Sequence, residues 1–358
     1  MKFQVAITSF LLVAAQAGAV PNYNAIDLGS LGGGTTWATG INESGQVVGF
    51  STTSLGGPYH AYFWQNDGLG MRDLGTLTPA LSFATSQAFA INDAGQVAGG
   101  SYAGTYQAFT TGPQGIGLTN ISPPNVWSTE ATGINSREQM AGIFNDQNIF
   151  PYSHAFSSAN SINDAGQVTG DAYAAGPSQF IHAFITDENG YNMRDLGTLG
   201  GNVSYGHAIN NLGQVAGTST TATGYNRAFL TDANGSNMRD LGNLAQRNDF
   251  ESWANGLNDQ GQVVGWSASM NGMSAFVTGL NGSGMYDLNS LVTLPAGVGL
   301  SEANGINELG QIIARDRNGH AYLLTPVPEP TAATMLLAGL AMLGAVGAKR
   351  SRKLIGLQ

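Results

Sequence analysis

Hydrophobic and polar positions along this chain alternate in short bursts, and the bursts recur. The clearest one reads INESGQVVG from Ile41, INDAGQVAG from Ile91, INSREQMAG from Ile134, INDAGQVTG from Ile162, INNLGQVAG from Ile209, LNDQGQVVG from Leu257 and INELGQIIA from Ile306. Successive copies are 50, 43, 28, 47, 48 and 49 residues apart, a period that suits a propeller or a solenoid. The segment entering each copy, such as TTWATGIN, reads as a short strand. The central Asn, Asp and Gly favour a tight turn, because Asn and Asp bond their own backbone and Gly accepts positive φ. Gln-Val-Val-Gly then returns as a second strand. A third follows at HAYFW (His60), QAFT (Gln107), HAF (His154), HAFIT (His182), RAFLT (Arg227), SAFVT (Ser274) and HAYLL (His320), alternating small and large residues with period two. A fourth follows at MRDLGTL (Met71 and Met193), MRDLGNL (Met238) and MYDLNSL (Met285), with LTNIS from Leu118 as a degenerate copy. Four antiparallel strands per repeat, with no helical period, predict an all-β fold: a β-propeller of four-stranded blades.

The two ends of the repeat array fit ring closure. The array opens on a lone fourth-strand motif, Ile26 to Leu31, and ends on a lone third-strand motif, His320 to Leu324. Pairing them completes the last blade and removes open sheet edges. An open solenoid needs capping units instead, and the sequence has none. The count reads as seven blades. It becomes six if the third repeat fails to form one, because only five residues separate Phe156 from Ile162 and a fourth-strand motif is missing there.

Charge separates this body, residues 21–326, from the chain's two ends. All three lysines lie outside it, at Lys2, Lys349 and Lys353, and inside it eight arginines stand against 22 acidic residues, a formal −14. Coulomb repulsion therefore disfavours a nucleic-acid or anionic-membrane partner. The acids are dispersed rather than clustered and read as a solvated surface. The absence of cysteine excludes disulfides, thiolate metal sites and cysteine catalysis.

At the start, Lys2, an apolar run from Val5 to Ala15 and small residues through Ala19 read as a secretory signal peptide, residues 1–19. At the other end, Thr331 to Ala348 carries no charge. As a helix it would span roughly 27 Å, enough for a bilayer core. This predicts a C-terminal single transmembrane helix, begun after Pro328 and Pro330. The basic cluster Lys349, Arg350, Arg352 and Lys353 would hold its end in the cytoplasm and leave the body outside.

Val327-Pro328-Glu329-Pro330, an apolar span and a basic cluster together resemble the PEP-CTERM sorting signal of Gram-negative bacteria, here residues 327–358. The resemblance implies recognition by exosortase, a membrane protease-transpeptidase. It also implies transient anchoring in the membrane, then delivery to the cell surface or the extracellular space. The body, from Ile26 to Leu324, resembles the HAF repeat of bacterial extracellular proteins, which implies architecture and location but no catalytic residue.

Candidate chemistry is sparse. His60, His154, His182 and His320 share one repeat position with Gln107, Arg227 and Ser274, so a metal site is not expected. The repeated Asn-Asp-x-Gly turns lack the ligand spacing of a helix–loop–helix calcium site, and calcium stays open only through the acidity of an exported body. No cofactor is expected. Asp27, Asp73, Asp195, Asp240 and Asp287 recur with Arg72, Arg194 and Arg239, as folding devices do; a catalytic carboxylate pair would be unique to one place. There is no G-x-S-x-G elbow and no phosphate loop. The aromatics outside the repeat consensus, Trp37, Trp127 and Trp253, are the ligand-stacking candidates, with packing between blades as the competing role. The reading is thus a non-catalytic exported binding or structural module, associated with exopolysaccharide. The alternative is an extracellular polysaccharide hydrolase or lyase on the same scaffold, since propellers host both.

Overall fold

The computed structural model describes residues 20–124, 126, 128–145, 157–174, 180–270 and 272–327. The expected signal peptide, the transmembrane helix, Pro328 to Pro330, the basic cluster, His154 and Trp127 lie outside these residues. Among the described residues no helix is long and apolar enough to cross a membrane.

The first blade shows the plan. Thr36–Ile41, Val47–Thr52, Tyr59–Trp64 and Met71–Gly75 pair in that order as an antiparallel sheet. Four-stranded sheets of the same order span residues 85–120, 157–195, 200–240 and 252–287. The last blade takes three strands, Leu300–Ile306, Ile312–Asp316 and Ala321–Pro326, from the end of the body and its fourth, Tyr23–Asp27, from the beginning. Ile26 pairs with Leu323 and Asp27 with Tyr322, so the ring is closed as its end motifs require.

Among the described residues the expectation of seven four-stranded blades is corrected to six. There the third repeat contributes a two-stranded sheet, Ser128–Ile134 with Met140–Asn145. Its step to the next copy is only 28 residues. Four strands of five or six residues with their turns need more chain than that.

The His-Ala-Phe segment explains how blades stack. Its period-two alternation sends the alanine towards the following blade and the aromatic towards the preceding one. Phe109 thus packs in one buried cluster with Ala61, Phe229 with Ala183, Phe276 with Ala228 and Tyr322 with Ala275, and Tyr62 closes the ring against Ala321. A small side chain on one blade makes room for a large one on the next. Burying each ring contributes about 2–3 kcal/mol.

Candidate functional site

The Ile-Asn turn does more than reverse the chain. In the first copy the Asn42 carboxamide oxygen accepts from the backbone N–H of Ser44 and Gln46, and its nitrogen donates to Gln46 Oε1. The second hydrogen on that nitrogen is donated to the next repeat, to the carbonyl of Asn92 at 3.0 Å. The same bond runs from Asn92 to Asn135, Asn135 to Asn163, Asn163 to Asn210, Asn210 to Asn258, Asn258 to Asn307, and Asn307 back to Asn42, all at 2.9–3.2 Å. Seven buried asparagines close a circle around the axis, one per repeat, including the two-stranded one. Each carboxamide nitrogen donates both its hydrogens, one within its own turn and one to the next repeat. Aspartate in the same place would lose both donors.

The residue after each ring asparagine forms a second circle above the first. The side chains of Asp93, Asp164, Asn211, Asp259, Glu308 and Glu43 each accept from the backbone N–H of the corresponding residue one repeat earlier, at 2.7–3.0 Å. Five carboxylates therefore surround one axial mouth, a depression of about 170 Å³. Burial raises the Glu43 carboxyl, and the charges of Asp93 and Asp259 add to the rise. Glu308 is raised likewise by burial, then by Asp259 and Glu43. These acids were read from the sequence as a dispersed surface, and the structure corrects that for the five. The signal was available: they all occupy the position immediately after the ring asparagine. Among the described residues no three His, Asp or Glu side chains are disposed to hold a metal ion.

Three residues before each ring asparagine the strand register slips, as at Ala38/Gly40 and Gly206/Ala208. A bulge leaves one residue unpaired and re-aims its side chain. That side chain crosses to a carbonyl of the next repeat: Thr39 to Ala88, Thr132 to Ala159, Asn160 to Gly206, His207 to Ala254, Asn255 to Ala303 and Asn304 to Ala38. In the second repeat Phe89 holds the position and has no polar group to offer. Opposite the bulge, the glycine that ends Gln-Val-Val-Gly lets the two backbones touch; a Cβ on Gly49 or Gly265 would collide with the carbonyl of Trp37 or Trp253.

The repeated polar residues found by sequence are placed in this framework. His60 Nδ1 lies 2.8 Å from Asp73 and His182 Nδ1 2.9 Å from Asp195, within their own blades. Arg227 fills the same slot opposite Asp240. Asp73, Asp195 and Asp240 also cap the turn two residues on, at Gly75, Gly197 and Gly242. Burial opposes ionisation of Asp73, but its bonds from His60 and Gly75 outweigh it and hold the carboxyl low. Arg72, Arg194 and Arg239 donate to backbone carbonyls at Gln114, Asn234 and Asn281 in the next blade's third turn. His320 stands 3.6 Å from Asp316, which caps the turn at Asn318.

Trp37 and Trp253 occupy one repeat position, five residues before the ring asparagine, on seams between blades. Trp37 stacks on Phe50 at 4.9 Å, and the Arg315 guanidinium of the last blade lies 4.2 Å from its centroid. Trp253 joins a row of near-parallel rings, Tyr205, His207, Trp253 and Trp266. Both are half-buried, and each already carries stacked protein partners. Next to this row lies buried Asp171, bonded to Asn160 and raised by burial. Burial lowers His207.

Two family models match the chain. One, described as "Protein of unknown function (DUF3466)", covers residues 79–318, most of the body read as resembling the HAF repeat. The other, the PEP-CTERM protein-sorting motif, covers residues 326–353. The sequence matches none of the curated proteins compared with it. Among solved structures, TolB from Acinetobacter baumannii is similar at 9% identity and a TM-score of 0.38, with 82% of this chain and 55% of that one covered. The putative TolB from Agrobacterium tumefaciens gives 11%, 0.41, 87% and 91%. A prolyl endopeptidase gives 10%, 0.52, 86% and 51%. The chain thus spans about half the length of the first and third of these. At 10% identity the likeness to the prolyl endopeptidase shows the fold alone.

Proposed function

We propose a presentation role for this chain, which belongs to the family described as protein of unknown function (DUF3466): a non-catalytic, exported propeller that displays a rigid binding surface at the cell envelope. The PEP-CTERM motif at 326–353 marks it for export and sorting. On this reading an exosortase processes the tail, the body is an HAF-repeat module, and its ligand is exopolysaccharide.

One observation carries the proposal. The repeated Arg and ring Asn side chains are engaged in bonds between repeats, and the repeated His and Asp side chains in bonds within a blade, in equivalent positions from repeat to repeat. A hydrolase or lyase needs a constellation confined to one place. The polar chemistry here is distributed around the axis, as in a scaffold. Half-buried aromatic rings on the seams, Trp37 and Trp253 with their neighbours, supply flat apolar surface of the kind that contacts sugar rings.

The test is a glycan array with the full-length chain, followed by length analysis of every glycan retained. Retention of an acidic or neutral polysaccharide with its length unchanged is expected. Shortening of any glycan would replace this reading with the enzymatic one.

A further inference from the structure

The two ends of the ring leave it at one place. Third strands run towards the axial mouth that carries the carboxylates, and the body ends on a third strand, Ala321–Pro326. Pro326 lies against Gly310, in the turn next to Glu308, and the Val327 N–H donates to the Asn22 carbonyl at 2.8 Å. Val20, Pro21 and Pro326 line a cavity of about 240 Å³ with Leu280 and Leu309. Leu280 belongs to a turn between third and fourth strands and Leu309 to a turn between first and second. Both kinds of turn are joined on this face, as by Gly235 N–H to the Gly213 carbonyl at 2.9 Å. The turns between second and third strands, with exposed Leu55 and Met270, lie on the opposite face.

After Pro326 only four residues, 327–330, precede the uncharged run that starts at Thr331. Fully extended they reach about 14 Å. We infer that the anchored protein stands with its carboxylate-ringed axial mouth towards the membrane and presents the opposite face, with its second-to-third-strand turns, to the exterior. A tether that short cannot let the propeller turn over, because the blade strands that separate its two faces, at six residues, are about 20 Å long and exceed the tether. Repulsion between the five carboxylates and an anionic surface does not prevent the arrangement, since charge is screened beyond about 8 Å at physiological salt. Whatever partner the protein meets outside then meets the Leu55 and Met270 face, and not the axial mouth.

This inference rests on the tail acting as a membrane anchor, and the experiment separates the two. The chain has no cysteine, so single labels are clean. Ser44→Cys and Leu212→Cys mark the mouth face; Leu55→Cys and Met270→Cys mark the other. All four side chains are exposed. Each full-length variant is reconstituted in phosphatidylcholine–phosphatidylglycerol vesicles, floated on a density gradient, and treated with a small maleimide or a long polyethylene-glycol maleimide. The small reagent should label all four at similar rates. The long reagent should label Leu55→Cys and Met270→Cys several-fold faster than the other two. Equal rates, or the reverse order, on floated protein would overturn the orientation and leave the anchor standing. Protein that does not float would refute the anchor, and the orientation with it.

Discussion

Replacing Asn210 with aspartate preserves the size of the side chain and removes both donors from one link of the asparagine circle. Asn210 Nδ2 donates to Gln214 Oε1 at 2.8 Å and to the Asn258 carbonyl at 3.0 Å. Its Oδ1 accepts from the N–H groups of Leu212 and Gln214, and an aspartate oxygen would keep those two bonds. The substitution thus costs two hydrogen bonds and leaves two acceptors facing a carboxylate in a buried site, since Asn210, Gln214 and Asn258 are all buried. Each lost bond is worth about 1 kcal/mol and each stranded buried acceptor about 1–3, so Asn210→Asp should destabilise by roughly 2–5 kcal/mol at neutral pH. Burial and the two facing oxygens would also raise the pKa of the new carboxyl. Its penalty should be smallest below the ordinary carboxylate value of about 3.9 and should grow as pH rises through the elevated native value. Urea titrations of the variant and the parent at acid and neutral pH would measure both effects. Exposed Asn248→Asp is the control. A shift at neutral pH no larger than the control's would refute the claim that the circle supports the ring.

Four further outcomes follow from the same structure. Glu43→Gln with Glu308→Gln should stabilise the fold at neutral pH by less than about 1 kcal/mol per site, read as a higher melting temperature, because burial and mutual repulsion raise both carboxyls and amides keep the acceptor oxygens; the gain should vanish in acid, where the glutamates are protonated. The His207 imidazole is lowered by burial, so its contribution is present above its unfolded pKa of about 6.5 and is lost as pH falls towards the lowered native value; His207→Asn, the residue used by three other repeats at this position, should flatten that part of the stability–pH profile. Gly265→Ala should destabilise by at least about 1–3 kcal/mol in thermal unfolding, because the new methyl meets the Trp253 carbonyl. Tyr23→Ala should cost about 3–5 kcal/mol, as a buried aromatic is lost from the closing strand.

Most of the fold was legible because each repeat states its own chemistry. Asn-Asp-Ala-Gly gives the turn, alternation gives the strands, and the orphan motifs at Ile26 and His320 give the closure. The third repeat was legible as an anomaly only: its 28-residue step is too short for four strands with their turns. What one repeat cannot show is what happens between repeats. Asn42 looks like a turn residue, and its second donor bond to Asn92 exists only because the ring brings that carbonyl to it. Glu43, Asp93, Asp164, Asp259 and Glu308 lie 28 to 50 residues from their nearest counterparts in other repeats and look dispersed along the chain, yet closure gathers them at one mouth. The bulge that turns His207 onto Ala254 is likewise invisible in the strand pattern. The repeated Arg and Asp residues were readable as folding devices by their very repetition, and the structure supplies partners for Arg72, Arg194, Arg239, Asp73, Asp195 and Asp240.

The account's central claim is that residues from the start of the body close the ring that its end leaves open. Hydrogen exchange of the full-length chain tests it most directly. Amides in Tyr23–Asp27 that point to Ala321–Pro326 should be protected as strongly as those in the first three strands of the same blade, and they should open with them in one step. Exchange of the Tyr23–Asp27 amides at the rate of an unstructured segment, while Leu300–Asp316 stays protected, would contradict it.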